Sequence, residues 1–134
     1  MASFNRLAGL IKDQITAKGT FVYLFRHGQS MGNHAGSLTG WIDSKLSIQG
    51  REQCNQMFRA FHQHIDSFAG LHSSNLTRCK DSLNLALGFP RKAVSFDSRL
   101  REINFGDDEG THFDSLPQDK KDVINSWKYQ APNG

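Results

Sequence analysis

The sequence predicts an α/β domain with a central, mainly parallel sheet flanked by helices. Predicted strands and helices alternate along the chain, which is the pattern of βαβ units. The length of 134 residues fits a single domain, so residues 1–134 are expected to form one unit. Apolar residues make up 37% of the chain before glycine is counted, and ten are phenylalanines, so a core can form and whole-chain disorder is excluded.

The N-terminal part of the chain predicts a helix followed by a strand. Apolar residues recur at helical spacing within residues 1–19, which we interpret as a helical extension packed on the domain. A mitochondrial presequence is disfavoured because this stretch contains Asp13 and a single arginine. Residues 20–25 (TFVYLF) are β-branched and aromatic, which is typical of a short strand.

A long loop and a long helix are predicted next. Residues 28–46 are rich in Gly, Ser, Asn and Asp without a lasting period, and a loop of this length in a compact domain is usually functional. A helix is expected to begin after Ser47, its N-cap, and to end at Gly70. One apolar stripe supports it, formed by Cys54, Met57, Phe58, Phe61, Ile65 and Phe68.

The remaining elements complete the alternation. Residues 71–73 and 93–96 are candidate strands, and between them an amphipathic helix over residues 76–87 is closed by Gly88 and Pro90. The chain is loop-like after Glu102 as far as residue 117, and residues 118–129 predict a polar helix. This order implies parallel strands joined by helices.

Charge and composition exclude several function classes. The net charge is +3 and the pI is about 9.0, but no basic block is present, which disfavours nucleic acid and suits a small anionic ligand. No apolar run approaches the roughly 20 residues of a membrane span, so no membrane partner is expected. Two cysteines argue against a disulfide-stapled or zinc-ribbon scaffold and suit a cytoplasmic protein. The sequence specifies no oligomeric state.

Reactive residues follow the ends of three predicted strands. His27, with Arg26 beside it, follows the first strand, Arg78 follows the second, and Glu102 follows the third. Ligands of open α/β sheets bind beyond the carboxyl ends of the strands, so these side chains are expected to meet at one site. Each residue alone would more often be structural or solvated. Because all of them are expected at the same edge of the sheet, we treat a functional site there as a hypothesis.

The chemistry of these side chains suits phosphoryl transfer. A neutral His27 imidazole can attack phosphorus, and neighbouring guanidiniums would favour that neutral form. Arg26 and Arg78 can each bind phosphate oxygens through a planar guanidinium. A partly desolvated Glu102 with a raised pKa could protonate the leaving group. No metal ion or other cofactor is required, and a small phosphorylated metabolite is the expected partner.

Four sequence blocks in a fixed order are more specific than any single residue. The first is residues 26–30 (RHGQS) followed by Asn33, and the second is 38–43 (LTGWID) with 46–50 (LSIQG). The third is 73–78 (SSNLTR), and the fourth is 100–110 (LREINFGDDEG). Together they resemble the histidine phosphatase superfamily, to which the cofactor-dependent phosphoglycerate mutases belong.

The resemblance implies a phosphoglycerate mutase-like fold and a role for each matching residue. His27 would be the phosphorylated nucleophile, Arg26 and Arg78 the residues that hold the phosphate, and Glu102 the proton donor. Substrate contacts are further implied for Gly28, Gln29, Ser30, Asn33, Thr39 and Gly40. Residues 104–110 are more similar to the phosphatase branches, among which the TIGAR-type fructose-2,6-bisphosphatases resemble this chain most.

One family feature is absent from this sequence. Members carry a second catalytic histidine near the end of the domain, between a small residue and a glycine and after a late strand. No histidine follows His112, which lacks a preceding strand and is a poor substitute. Residues 131–134 (APNG) resemble a stretch inside the family's domain. The sequence therefore predicts an incomplete domain that lacks its C-terminal part.

These observations predict a phosphomonoester hydrolase that acts through a phosphohistidine on a small phosphorylated metabolite such as a sugar phosphate. Two alternatives stay open. One is a mutase-type transfer that returns the phosphoryl group to the substrate. The other is a catalytically impaired module that binds phosphate or a partner without turnover.

Overall fold

The computed structural model of the chain describes residues 21–88 and 92–126. In this part, two strands, β1 (Leu71–Ser73) and β2 (Val94–Phe96), pair in parallel. The α-helices, numbered in chain order, are α1 (Met31–His34), α2 (Ile48–Phe61), α3 (Thr77–Leu87) and α4 (Gln118–Ser126). Because α3 lies between the two parallel strands in the chain, they form a βαβ unit, and the predicted α/β class is confirmed.

Helix α2 begins where the sequence predicted and ends earlier. The Ser47 side chain accepts a hydrogen bond from the Gly50 amide at 3.0 Å, which caps the first turn. After Phe61 the chain continues as a 3₁₀ helix (His62–Ser67), so the prediction of one helix up to Gly70 is wrong in this part. The tighter winding leads to an extended Phe68, whose ring centroid lies 6.3 Å from that of Phe61.

Residues 21–25 keep the alternation of an extended chain but do not form the predicted first strand. The rings of Tyr23 and Phe25 both contact Phe61, whereas Val22 is 79% and Leu24 90% exposed. An extended segment becomes a strand only where its backbone joins a ladder of hydrogen bonds. Within the described residues the ladder consists of β1 and β2, and this segment contributes side chains to the core instead.

The predicted loop over residues 28–46 contains a short helix, α1, that the sequence analysis missed. Ser30 and Asn33 form a capping box, in which each side chain accepts a hydrogen bond from the backbone amide of the other. The two ends of the loop are joined at its base, where the Met31 amide donates to the Lys45 carbonyl at 2.8 Å. The loop is therefore a compact unit that holds its own shape.

The core lies between the extended residues 21–25 and helices α2 and α3. Phe61 and Ala60 are buried, and Tyr23, Met57 and Leu87 pack against them. Helix α3 ends at Gly88, which adopts a left-handed φ of +62°, as predicted for its closing glycine.

The terminal predictions fall partly outside the described residues. Helix α4 confirms the predicted polar helix as far as Ser126, and residues 127–129 lie outside. The predicted helical extension over residues 1–19 also lies outside. In the part of the chain that the structure describes, no helix is long and apolar enough to cross a bilayer.

Candidate functional site

A cavity of about 160 Å³ brings together the residues that the sequence singled out for chemistry. Arg26, His27, Arg78 and Glu102 all line it, although they come from distant parts of the chain. The other lining residues are Asn33, Ser37, Leu38, Thr39, Gly40 and Phe105. The long loop thus forms much of the wall.

Arg78 is one of the most deeply buried side chains of the molecule, with 1% of its surface exposed. Its guanidinium donates from Nη1 to the Ile42 carbonyl at 2.9 Å and from Nη2 to the Gly40 carbonyl at 2.7 Å. Its Nε donates to Nε2 of His27 at 3.1 Å. Backbone carbonyls of the long loop therefore fix the plane of the guanidinium against the imidazole.

Asp43 explains how the long loop meets the helix that carries Arg78. Helix α3 begins after Leu76, whose side chain makes no capping hydrogen bond. Asp43 takes that role from the loop, because its carboxylate accepts from the Thr77 amide at 2.7 Å and from the Thr77 hydroxyl at 2.6 Å. A carboxylate at this end also complements the helix dipole. The loop and the first turn of α3 are thereby tied together.

The hydrogen bonds of His27 define its tautomer. Nδ1 lies 2.7 Å from the Gly28 carbonyl oxygen, which can only accept, so Nδ1 carries the hydrogen. Nε2 accepts from Arg78 and therefore carries a lone pair. The neutral imidazole is thus held with its free lone pair on Nε2, the nitrogen that could act as a nucleophile.

Burial and neighbouring charges both act on His27. Burial lowers the pKa of His27 below its ordinary value of 6.5, and the guanidiniums of Arg78 and Arg26 lower it further. The hydrogen bond to the Gly28 carbonyl and the Glu102 carboxylate act in the opposite direction. The lowered pKa of His27 agrees with the sequence prediction, which attributed the neutral form to the neighbouring arginines. Its largest cause, however, is burial. The neutral form is favoured at neutral pH.

The cavity carries an excess of positive charge. Within the described residues, no carboxylate lies within salt-bridge distance of Arg78. A buried charge without a counterion is costly, and an anionic ligand would relieve that cost. Arg26 is exposed at the cavity and adds a second guanidinium. In the same described residues, no group of three or more His, Cys, Asp or Glu side chains is arranged to hold a metal ion.

Glu102 lies at the cavity but is exposed. Its carboxylate accepts from the Ile103 amide at 3.0 Å, and its backbone carbonyl accepts from the indole Nε1 of Trp41 at 3.0 Å. The exposed side chain does not support the expectation of a partly desolvated Glu102, which stays a prediction. Among its hydrogen bonds with described residues, only that of the backbone carbonyl reaches a distant part of the site.

Three residues with implied substrate contacts are not among those that line the cavity. Gly28 passes close to α2, and a Cβ on it would lie 2.4 Å from the Gly50 carbonyl oxygen. The Gln29 carbonyl accepts from the Ser47 amide at 2.9 Å, and Ser30 caps α1. In this structure the three residues hold the backbone that positions His27.

Sequence reasoning missed several residues that shape the site. The cavity wall also includes Ser37, Leu38 and Phe105. The Ser82 hydroxyl accepts from the Gly28 amide at 2.9 Å and donates to the Arg78 carbonyl at 2.7 Å. Its position four residues after Arg78, on the same face of α3, was the available signal. Ser37, Leu38 and Phe105 gave no comparable signal in the sequence, because only the tertiary fold brings them together.

A family model described as the histidine phosphatase superfamily (branch 1) matches residues 22–134. This range contains the cavity and all four sequence blocks. The chain belongs to the histidine phosphatase superfamily. The resemblance seen in the blocks is confirmed, and the predicted phosphoglycerate mutase-like fold is confirmed by solved structures.

The curated relatives of this superfamily member include bacterial phosphoglycerate mutases. The probable phosphoglycerate mutase GpmB of Shigella dysenteriae serotype 1 (strain Sd197) is 33% identical over 113 residues, which are 84% of this chain and 50% of that protein. GpmB of Escherichia coli (strain K12 / DH10B) matches with the same identity and the same coverage, 84% of this chain and 50% of the relative. The chain therefore spans about half the length of the curated relatives it matches.

Solved structures include both a phosphatase and a mutase. The mycobacterial glucosyl-3-phosphoglycerate phosphatase in complex with VO3 superposes with a TM-score of 0.67 at 27% identity, over 79% of this chain and 52% of that one. The phosphoglycerate mutase from Thermus thermophilus has a TM-score of 0.62 at 27% identity, over 81% and 58% of the two chains. The fold is therefore compatible with either outcome of phosphoryl transfer.

Proposed function

We propose that this superfamily member is a phosphomonoester hydrolase that acts through a phosphohistidine on His27. Its substrate would be a small phosphorylated metabolite such as a sugar phosphate. One observation carries the proposal: the buried Arg78 guanidinium has no carboxylate partner within residues 21–88 and 92–126, and it donates directly to Nε2 of His27. A buried cation beside a nucleophilic nitrogen suits an anionic electrophile such as a phosphoryl group.

The reaction would proceed in two displacements. In the first, Nε2 of His27 attacks phosphorus, the bond to the ester oxygen breaks, and Glu102 gives its proton to that oxygen. Arg26 and Arg78 hold the non-bridging oxygens as charge develops. In the second, Glu102 takes a proton from water, the water oxygen attacks phosphorus, and the N–P bond breaks. Inorganic phosphate leaves, and His27 and Glu102 regain their initial states.

The geometry supports a division of labour between the arginines. The cavity of about 160 Å³ holds both guanidiniums, but Arg78 is buried and Arg26 is exposed. A phosphoryl oxygen entering the cavity could replace His27 as acceptor for the Arg78 Nε hydrogen, which frees the Nε2 lone pair for attack. Arg26 would contact the ligand from the open side.

The test is phosphohistidine formation on the full chain with a generic aryl phosphate. We expect the intact mass to rise by one phosphoryl group and aryl alcohol to be released. His27→Ala should abolish labelling and lower hydrolysis by at least about a thousandfold. The matched control is His72→Ala, at an exposed histidine of β1 that does not line the cavity. Unchanged hydrolysis in His27→Ala would refute the proposal.

Two other outcomes of the same experiment identify the alternatives. A phosphoryl group that returns to the organic product instead of to water would indicate a mutase, which the GpmB relatives favour. Binding of inorganic phosphate without labelling or turnover would indicate a phosphate-binding module. The exposure of Glu102 favours that outcome, because the side chain proposed to transfer the proton is not buried in the described part of the chain. The predicted cytoplasmic location stays a prediction.

A further inference from the structure

Glu109 joins two segments of the cavity wall without lining the cavity itself. Its Oε1 accepts from the Trp41 amide at 2.5 Å and from the Phe105 amide at 3.3 Å. Its Oε2 accepts from the Ile42 amide at 2.8 Å. One carboxylate therefore holds backbone amides of the long loop and of the segment that follows Glu102.

One peptide unit that binds Glu109 also binds Arg78, and Ile42 contacts both side chains through its two neighbouring peptides. The peptide between Gly40 and Trp41 accepts from Arg78 through its carbonyl and donates to Glu109 through its amide. Ile42 also binds both side chains, because its carbonyl accepts a hydrogen bond from Arg78 and its amide donates one to Glu109. A guanidinium and a carboxylate thus polarise the backbone from opposite sides, and hydrogen bonds in such chains strengthen one another.

The fit around Glu109 is close. A Cβ on Gly40 would lie 2.4 Å from Oε1 of Glu109, so the carboxylate is directly behind the cavity wall at Gly40. Glu109 itself is fixed by the 3₁₀ helix Gly106–Asp108, because its amide donates to the Gly106 carbonyl at 3.1 Å. That short helix is in turn tied to α4 by an ion pair between Asp108 and Lys120 at 2.6 Å.

We propose that Glu109 is a positioning residue that keeps the Arg78 guanidinium aligned with His27 and holds the segment after Glu102 against the long loop. This inference rests on the proposed function only in that the aligned guanidinium serves phosphate binding. The sequence predicted only a loop over this stretch, and nothing in it singled out Glu109. Its side chain is half-buried and fully engaged with the backbone.

Charge alone and positioning predict opposite effects on phosphate binding. Glu109 is an acid near an anion site, so removing its charge should strengthen binding if only long-range electrostatics mattered. If Glu109 positions Arg78, its loss should weaken binding of inorganic phosphate. Two variants separate the causes, because Glu109→Asp keeps the charge and loses reach, whereas Glu109→Gln keeps the shape and loses the charge. Asp107→Asn, at an exposed acid two residues away, is the matched control.

The first readout requires neither phosphate nor turnover. On the full chain without ligand, nuclear magnetic resonance follows the Arg78 Nε–H signal and the hydrogen exchange of the Trp41 and Ile42 amides. We expect both Glu109 variants to shift the Arg78 signal and to speed exchange at the two amides, while Asp107→Asn changes neither. An unmoved Arg78 signal with wild-type exchange in Glu109→Gln would overturn the proposal, whatever the activity of the chain.

The second readout is affinity for inorganic phosphate. The chain has two tryptophans, so in a Trp127→Phe background Trp41 alone reports on the loop by fluorescence. We expect Glu109→Asp and Glu109→Gln each to weaken phosphate binding by about tenfold, the size of a hydrogen bond to a charged group. Asp107→Asn should bind as the parent does. Equal or tighter binding in Glu109→Gln would overturn the functional part of the proposal, and a lack of binding in the parent would count against the proposed function instead.

Discussion

The two walls of the cavity differ in how firmly the fold holds them. Arg78 is 1% exposed and donates to the loop carbonyls of Thr39, Gly40 and Ile42 and to His27. Glu102, which lines another part of the cavity wall, is exposed, and its carboxylate bonds only with the neighbouring Ile103 amide among the hydrogen bonds that the structure gives it. The group proposed to bind phosphate is therefore preorganised, and the group proposed to move the proton is not.

This difference separates binding from proton transfer. Electrostatic stabilisation depends on donors that are fixed before the reaction begins, which the wall around Arg78 provides. General acid catalysis depends on a side chain that is held in position at the leaving group, and the exposed Glu102 carboxylate bonds only to the neighbouring Ile103 amide among its hydrogen bonds with described residues. We therefore expect the described site to bind phosphate better than it turns over. Three changes test this contrast, in order of their expected effect on the free energy of unfolding.

Arg78→Ala should have the largest effect. It leaves the carbonyls of Gly40 and Ile42 without donors and empties a fully buried volume, so we expect a loss of about 3 kcal/mol or more in the free energy of unfolding. Binding of inorganic phosphate should be lost as well. Urea unfolding in phosphate-free buffer measures the first effect. Arg59→Ala, at an exposed arginine of α2, is the control, and equal stability of the two variants would remove the contrast.

A smaller effect is expected from the titration of His27. Its pKa is lowered in the folded protein, so as pH falls below the ordinary value of 6.5 the unfolded chain binds the proton first. This favours unfolding, and the loss of stability continues until pH passes the folded pKa. Urea unfolding between pH 7.5 and pH 5 should thus show a steeper decline in the parent than in His27→Asn. Parallel curves would mean that burial does not disfavour the charged imidazole.

Glu102→Gln should have the smallest effect on stability. An exposed side chain with one local hydrogen bond is expected to change the free energy of unfolding by less than about 0.5 kcal/mol. Affinity for inorganic phosphate should stay equal or rise slightly, because a negative charge is removed from the cavity. Any hydrolysis should fall by about 10²–10⁴-fold. A large loss of stability or of phosphate affinity would show that Glu102 belongs to the preorganised wall after all.

The chemistry-bearing residues were predictable because each follows a recognisable local pattern. His27 stands in a turn-forming block after an extended apolar segment, and Arg78 opens a helix whose amphipathic period is clear. The Ser47 cap and the Gly88 terminus follow from the backbone chemistry of helix ends. Loop interiors have no such period, so α1 was missed.

The first strand shows why an extended pattern is not sufficient. Residues 21–25 alternate as an extended chain does, with Tyr23 turned to the core and Leu24 to solvent. Whether such a segment is a strand depends on hydrogen bonds with another part of the chain, which the segment itself does not encode. The 3₁₀ helix after Phe61 was missed for a similar reason. The apolar stripe continues through it, so the sequence pattern does not mark the change from α-helix to 3₁₀ helix.

The sequence by itself determined the family, the α/β class and the side chains proposed to carry the chemistry, because these depend on residue type and local order. Only the tertiary structure decided which groups are buried and which backbone atoms they bind. It buried Arg78 and left Glu102 exposed, and it placed Glu109 behind Gly40. The physical reason is that desolvation and hydrogen bonding depend on distances between residues far apart in the chain, and no local pattern records those distances.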